Sequence, residues 1–151
     1  MNADAKTEIL LVEDNPDHAE LTMRALRKGS LANHILWVKD GVEALDALRS
    51  QHAYADRASR PLPGLVLLDL NLPKLSGLEV LQAMKSDPVL RVIPVIMLTT
   101  SGRDDEVKKS FELGANSFVT KPVQFSEFSK KIRQIELYWL LVNRLPSAAA
   151  A

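Results

Sequence analysis

The sequence predicts an α/β domain of five βα units on one parallel sheet, and three observations point there. Short apolar runs, Ile9-Leu10-Leu11-Val12, Leu65-Val66-Leu67-Leu68 and Val95-Ile96-Met97-Leu98, read as strands buried on both faces. Amphipathic stretches opened by capping residues alternate with them, the pattern of helices crossing over a parallel sheet. Each run also stops at chemically loaded residues: Glu13-Asp14, Asp69, Thr99-Thr100 and, after Ser117-Phe118-Val119-Thr120, Lys121-Pro122. Open α/β sheets bind ligands at the carboxyl ends of their strands.

The elements follow in order. Asn15-Pro16 offers the first helix an N-cap and a proline at its first position. Leu21, Met23, Ala25 and Leu26 lie along it, and Gly29 suits its end. Ile35-Leu36-Trp37-Val38 is the second strand, and Asp40 with Glu43 caps a helix reaching about Gln51. Residues 52–63, with two prolines and little apolar periodicity, read as a long surface loop. After the third strand, Asn71-Leu72-Pro73 forces a turn. Ser76-Gly77-Leu78-Glu79 is a further capping box, with Leu78, Leu81 and Met84 inward until Asp87-Pro88 stops the helix. Pro94 precedes the fourth strand, whose helix spans about residues 104–113 and ends at Gly114. A final helix runs from about Ser126 past Trp139.

Composition narrows the function. The chain has 151 residues, 46% hydrophobic and 25% charged, which suits one globular domain over residues 1–145 with a disordered tail at 146–151. Zero formal net charge argues against a general attraction to nucleic acid or anionic lipid. The lack of cysteine excludes disulfides, thiolate zinc sites and thiol catalysis. No apolar run is long enough to span a bilayer and no leader pattern opens the chain, so a cytoplasmic protein without membrane contact is expected.

If the apolar runs are neighbouring strands, Glu13, Asp14, Asp69, the Thr99 hydroxyl and the Lys121 ammonium converge at one sheet edge. That set suits a divalent cation plus a phosphoryl group. Mg2+ takes one or two carboxylates, waters and substrate oxygens, and clustered anions repel without a cation. Taken singly, either acidic residue after the first strand could cap a helix, and Lys121 could be a surface lysine. A carboxylate at Asp69 can act as a nucleophile toward phosphorus and form an acyl phosphate. Such a reaction needs charge neutralisation more than acid–base help, with a cation on one side and Lys121 on the other. His18, His34 and His52 show no metal-ligand spacing and read as surface or loop residues. No glycine-rich loop follows the first strand, which disfavours a nucleotide or flavin there.

Several motifs occur together and in order: Leu11-Val12-Glu13-Asp14-Asn15, Asp40-Gly41-Val42-Glu43-Ala44-Leu45, Leu67-Leu68-Asp69-Leu70-Asn71-Leu72-Pro73, Ser76-Gly77-Leu78-Glu79, Pro94-Val95-Ile96-Met97-Leu98-Thr99, Gly114-Ala115 and Lys121-Pro122. This ordered set resembles the receiver domain of response regulators in two-component signalling, over nearly the whole chain. The resemblance implies a flavodoxin-like parallel sheet in the strand order 2-1-3-4-5, with helices on both faces. It implies that Asp69 accepts a phosphoryl group from a histidine of a sensor kinase. Asp14 and Asp69 would then bind Mg2+ directly, with the Asn71 backbone carbonyl, and Glu13 directly or through water. Thr99 and Lys121 would contact the phosphoryl group. Thr99 and Phe118 would form the family's switch pair, against a reading of Phe118 as ordinary core.

Residues 52–63 and Ile135-Glu136-Leu137-Tyr138-Trp139-Leu140 are similar, more narrowly, to stand-alone regulators serving bacterial and cyanobacterial phytochromes. A bacteriophytochrome is therefore among the expected kinases. Output is expected through a changed protein surface rather than DNA binding, and metabolic catalysis is not expected. Two rivals stand beside this reading. An aspartate-nucleophile phosphohydrolase usually carries a second Asp two residues on, where this chain has Asn71. A non-switching interaction module would not need the full acidic set and Lys121.

In the last helix, Phe125, Phe128, Ile132, Ile135, Trp139 and Val142 form one apolar stripe, with Lys130, Arg133 and Gln134 opposite. Leu137 and Leu141 then arrive on the polar side, with Leu140 nearby. An apolar helix end of this kind needs cover, from its own domain or from a second copy of the chain. A symmetric homodimer is the expectation.

Overall fold

The computed structural model describes residues 7–29, 32–59, 61–100, 103–121 and 125–136. Its strands are β1 (Thr7–Val12), β2 (Ala32–Val38), β3 (Leu65–Asp69), β4 (Val95–Thr99) and β5 (Ser117–Thr120). They form one parallel sheet in the order β2-β1-β3-β4-β5, as the resemblance to receiver domains implied. The helices are α1 (Pro16–Gly29), α2 (Gly41–Arg49), α3 (Gly77–Ser86), α4 (Asp104–Glu112) and α5 (Phe125–Glu136). None of the described helices is long and apolar enough to cross a membrane.

Strand alternation divides the core into two layers. Ile9, Leu11, Leu65, Leu67, Ile96 and Leu98 pack with Ala25 and Leu26 of α1 and Ile132 of α5. Their neighbours Leu10, Val12, Val66, Leu68, Val95 and Met97 pack with Leu45 and Leu48 of α2 and with Val80, Leu81 and Met84 of α3. Because both faces are covered, β3 and β4 are buried at every position, and their sequences carry no polar alternation. Local chemistry sets the helix starts. Ser76 Oγ accepts from the Glu79 N–H at 3.2 Å while Glu79 Oε1 accepts from the Ser76 N–H at 3.0 Å. Asp40 Oδ1 likewise accepts from the Glu43 N–H at 2.8 Å.

Three details depart from the sequence expectation. β2 begins at Ala32 rather than near Ile35, because pairing with β1 extends to Thr7. α2 stops at Arg49 rather than near Gln51, since Ser50 turns into the left-handed region with φ 54°. Residues 52–63 are not a bare loop. A kinked 3-10 helix covers His52–Ser59 and is tied down by polar side chains. The buried Arg57 guanidinium makes a two-pronged ion pair with Glu8 of β1, and the Tyr54 hydroxyl donates to Glu43 of α2. Those anchors leave no apolar period to read. Leu137, Leu140 and Leu141, with the proposed dimer contact, lie outside the described residues. Within α5, Ile132 is buried and Lys130, Arg133 and Gln134 are exposed, as the stripe predicts.

Gly77 at the start of α3 lies against the backbone of the residue carrying the central carboxylate. A Cβ there would sit 2.2 Å from the Asp69 carbonyl oxygen and 2.8 Å from Leu70 Cα. Gly77→Ala is therefore expected to lower stability by about 1–3 kcal/mol, despite alanine's better helix propensity. Urea unfolding measures this, and an unchanged midpoint would contradict so close an approach.

Candidate functional site

Backbone hydrogen bonds carry the sheet's spacing one residue past the strands and into the site. The Glu13 N–H donates to the Val38 carbonyl at 3.0 Å, the Leu70 N–H to the Leu98 carbonyl at 3.3 Å, and the Lys121 N–H to the Thr99 carbonyl at 2.7 Å. The residues that follow β1, β3 and β5 are thereby held at one edge, next to Thr99 at the end of β4. Trp37 of β2 adds an indole N–H donated to the Glu13 carbonyl at 2.7 Å.

The side chains then meet. Carboxylate oxygens of Glu13, Asp14 and Asp69 lie within 4.8 Å of one another. Glu13, Asp69 and Thr99 are buried, whereas Asp14 is exposed. The Lys121 ammonium forms an ion pair with Glu13 Oε1 and a second with Asp69 Oδ2 at 3.2 Å. Asp69 Oδ1 accepts from the Asn71 N–H at 3.2 Å, and Glu13 Oε2 accepts from the Asn15 N–H at 3.3 Å. Burial pushes the Glu13 carboxyl up to about 7, and its hydrogen bond to Asp69 adds to the rise, while Lys121 opposes it.

Most sequence-predicted site residues are therefore brought together: Glu13, Asp14, Asp69, Thr99 and Lys121. Asn71 is exposed beside them, with its N–H turned to Asp69. Phe118 of β5 is half-buried and packs on the α2 and α3 side of the sheet. Two features escaped the sequence reading. Lys121 pairs with Glu13 as well as with Asp69. His18 is not a bystander, because its Nδ1 lies 3.3 Å from the Lys121 ammonium. The Asn15 cap was the available signal, since it starts α1 beside the acidic loop and places His18 in the helix's first turn. His34 and His52 are exposed and sit near Glu8 and Asp46, away from the cluster.

Three carboxylates against one ammonium leave a local excess of two negative charges when all are ionised. That excess, with one exposed carboxylate, fits a divalent cation that keeps several waters. Burial is the main cause of the elevated Glu13 carboxyl, and the neighbouring Asp69 adds to it.

The chain matches the family model described as the response regulator receiver domain over residues 9–133. It is 44% identical over 141 residues to the probable methanogenesis regulatory protein FilR2 of Methanothrix harundinacea, covering 93% of this chain and 88% of that one. Among solved structures it is similar to the phosphorylated cyanobacterial phytochrome response regulator RcpA. There the TM-score is 0.87 at 40% identity, over 95% of this chain and 100% of that one. The manganese-bound response regulator Rcp1, from Synechocystis, aligns with a TM-score of 0.84 at 39% identity, over 93% of this chain and 99% of that one.

A carboxyl raised in the folded state retains a proton that the unfolded chain has already lost. The metal-free protein should therefore lose stability as pH rises from the ordinary carboxyl value of 4.5 to about 7. Glu13→Gln should flatten that fall. Urea unfolding in a chelator at about pH 5 and about pH 7 measures the difference between the two proteins. Identical slopes would contradict the assignment to Glu13.

Proposed function

This chain belongs to the response regulator receiver family and is a regulator of phosphorelay signalling, and from that premise we propose that Asp69 is its phosphoacceptor. The donor is a phosphohistidine of a sensor histidine kinase. An Asp69 carboxylate oxygen bonds to phosphorus as the bond to the donor imidazole nitrogen breaks, giving an acyl phosphate and a free histidine. The observation that carries this is the Lys121 ammonium shared between Glu13 and Asp69 beside a three-carboxylate cluster.

Glu13, Asp14 and Asp69, with the Asn71 backbone carbonyl, would hold Mg2+. When bound, that ion supplies positive charge against the phosphoryl oxygens. The manganese-bound relative supports a divalent cation. Lys121 turns the N–H it gives Asp69 Oδ2 to a phosphoryl oxygen from the other side, and the Thr99 hydroxyl donates at the end of β4. Phosphorylation biases the arrangement of Thr99 and Phe118 and so alters the protein surface that partners read. The protein acts in the cytoplasm as a signalling domain. It catalyses no turnover beyond gain and loss of its own phosphate. Similarity to phytochrome response regulators favours a bacteriophytochrome as the kinase. Asn71, where a phosphohydrolase of this type would carry a second acid, disfavours the enzyme reading.

With acetyl phosphate and Mg2+, the wild type should acquire a hydroxylamine-labile phosphate that Asp69→Asn lacks altogether. Rapid turnover of phosphate esters would favour the hydrolase instead, and absence of any Asp69-dependent change would favour an inert module. The apolar set Leu137, Leu140 and Leu141 further supports a homodimer through the last helix. Gel filtration should give a dimer for the wild type and a monomer for Leu137→Asp/Leu141→Asp. A monomeric wild type would refute that contact.

A further inference from the structure

An ammonium group has three N–H donors and accepts nothing. Glu13 Oε1 takes one from Lys121, Asp69 Oδ2 takes a second, and the third meets His18 Nδ1 at 3.3 Å. Because lysine cannot accept, this contact requires a neutral imidazole with its proton on Nε2. The three acceptors come from three places: the loop after β1, the end of β3 and the first turn of α1. Two fixed hydrogens would leave the ammonium free to pivot about the line between Glu13 and Asp69. A third removes that freedom.

His18 is itself held on both sides through its backbone. Its N–H donates to the Asn15 cap at 3.2 Å, and its carbonyl accepts from the hydroxyl of buried Thr22 at 2.9 Å. The imidazole is half-buried. On helix propensity alone, alanine would serve this position better than histidine. We propose that His18 is a positioning residue that orients the Lys121 ammonium toward Asp69 and the incoming phosphoryl group. This rests on the reading of Asp69 as phosphoacceptor.

Asparagine supplies the discriminating variant. Its Oδ1 stands the same number of bonds from Cα as the histidine Nδ1 and can accept, but it favours a helix less than alanine does. A purely structural role therefore ranks His18→Ala above His18→Asn, and a positioning role ranks them the other way. The rate of Asp69 phosphorylation by acetyl phosphate in saturating Mg2+ should fall about ten- to a hundredfold in His18→Ala, the factor one hydrogen bond to a charged group is worth, and recover in His18→Asn. Mg2+ affinity should be the same in all three proteins, as no carboxylate changes. If the wild type is phosphorylated and His18→Ala matches it, or if His18→Asn is as slow as His18→Ala, the proposal is overturned. A wild type that takes up no Asp69-dependent phosphate overturns the phosphoacceptor reading itself.

Discussion

Everything at the sheet edge is arranged around the cost of holding like charges together. Glu13, Asp14 and Asp69 crowd their oxygens within 4.8 Å, and Glu13 and Asp69 are buried with little water to screen them. The Lys121 ammonium, itself buried, offsets part of that repulsion by lying between Glu13 and Asp69. The offset is incomplete, since three carboxylates face one ammonium, and burial keeps Glu13 elevated in spite of its cationic neighbour. An incomplete offset is what a reversible binding site for a cation needs. Full neutralisation would leave nothing to attract the ion, while no neutralisation would drive the loops apart.

The scaffold makes this tolerable by spreading the charges over separate strands. In-register parallel pairing puts Val12 beside Leu68, Asp69 beside Leu98 and Thr99 beside Thr120. Backbone hydrogen bonds from Glu13, Leu70 and Lys121 then continue the ladder into the loops. The acidic residues cannot relax away without breaking those bonds. On the far side of Asp69, Gly77 presses α3 against the Asp69 backbone, and only a hydrogen fits in that space. The stability of the two buried layers thus holds an unfavourable charge arrangement at the sheet edge, a common relation between rigid scaffold and active loop.

Much of this was legible from residue order alone. Buried strands had to read as uninterrupted Leu, Ile and Val, so β1, β3 and β4 stood out without any alternation to assist. Ser76-Glu79 and Asp40-Glu43 announced helix starts because capping is a local exchange of hydrogen bonds. The site residues were legible for a related reason: each stands at or just past the end of a strand, so the strand that positions it is its own sequence neighbour. The 3-10 segment His52–Ser59 was not legible, since Arg57 and Tyr54 fasten it to Glu8 and Glu43 through contacts distant in the chain. His18 stayed hidden likewise, because its significance comes from Lys121, 103 residues away.

Residue order by itself determined the number of βα units, the two-sided burial of the sheet, the helix caps and the identity of the groups at the carboxyl edge. These depend on periodicity and on bonds between near neighbours, which the chain carries wherever it goes. Tertiary structure alone decided which partner each charge takes: Lys121 with both Glu13 and Asp69, His18 with Lys121, Arg57 with Glu8 and Trp37 with the Glu13 carbonyl. Pairing of that kind depends on distances of a few ångströms between segments far apart in sequence, and those exist only once the sheet has brought its strands together.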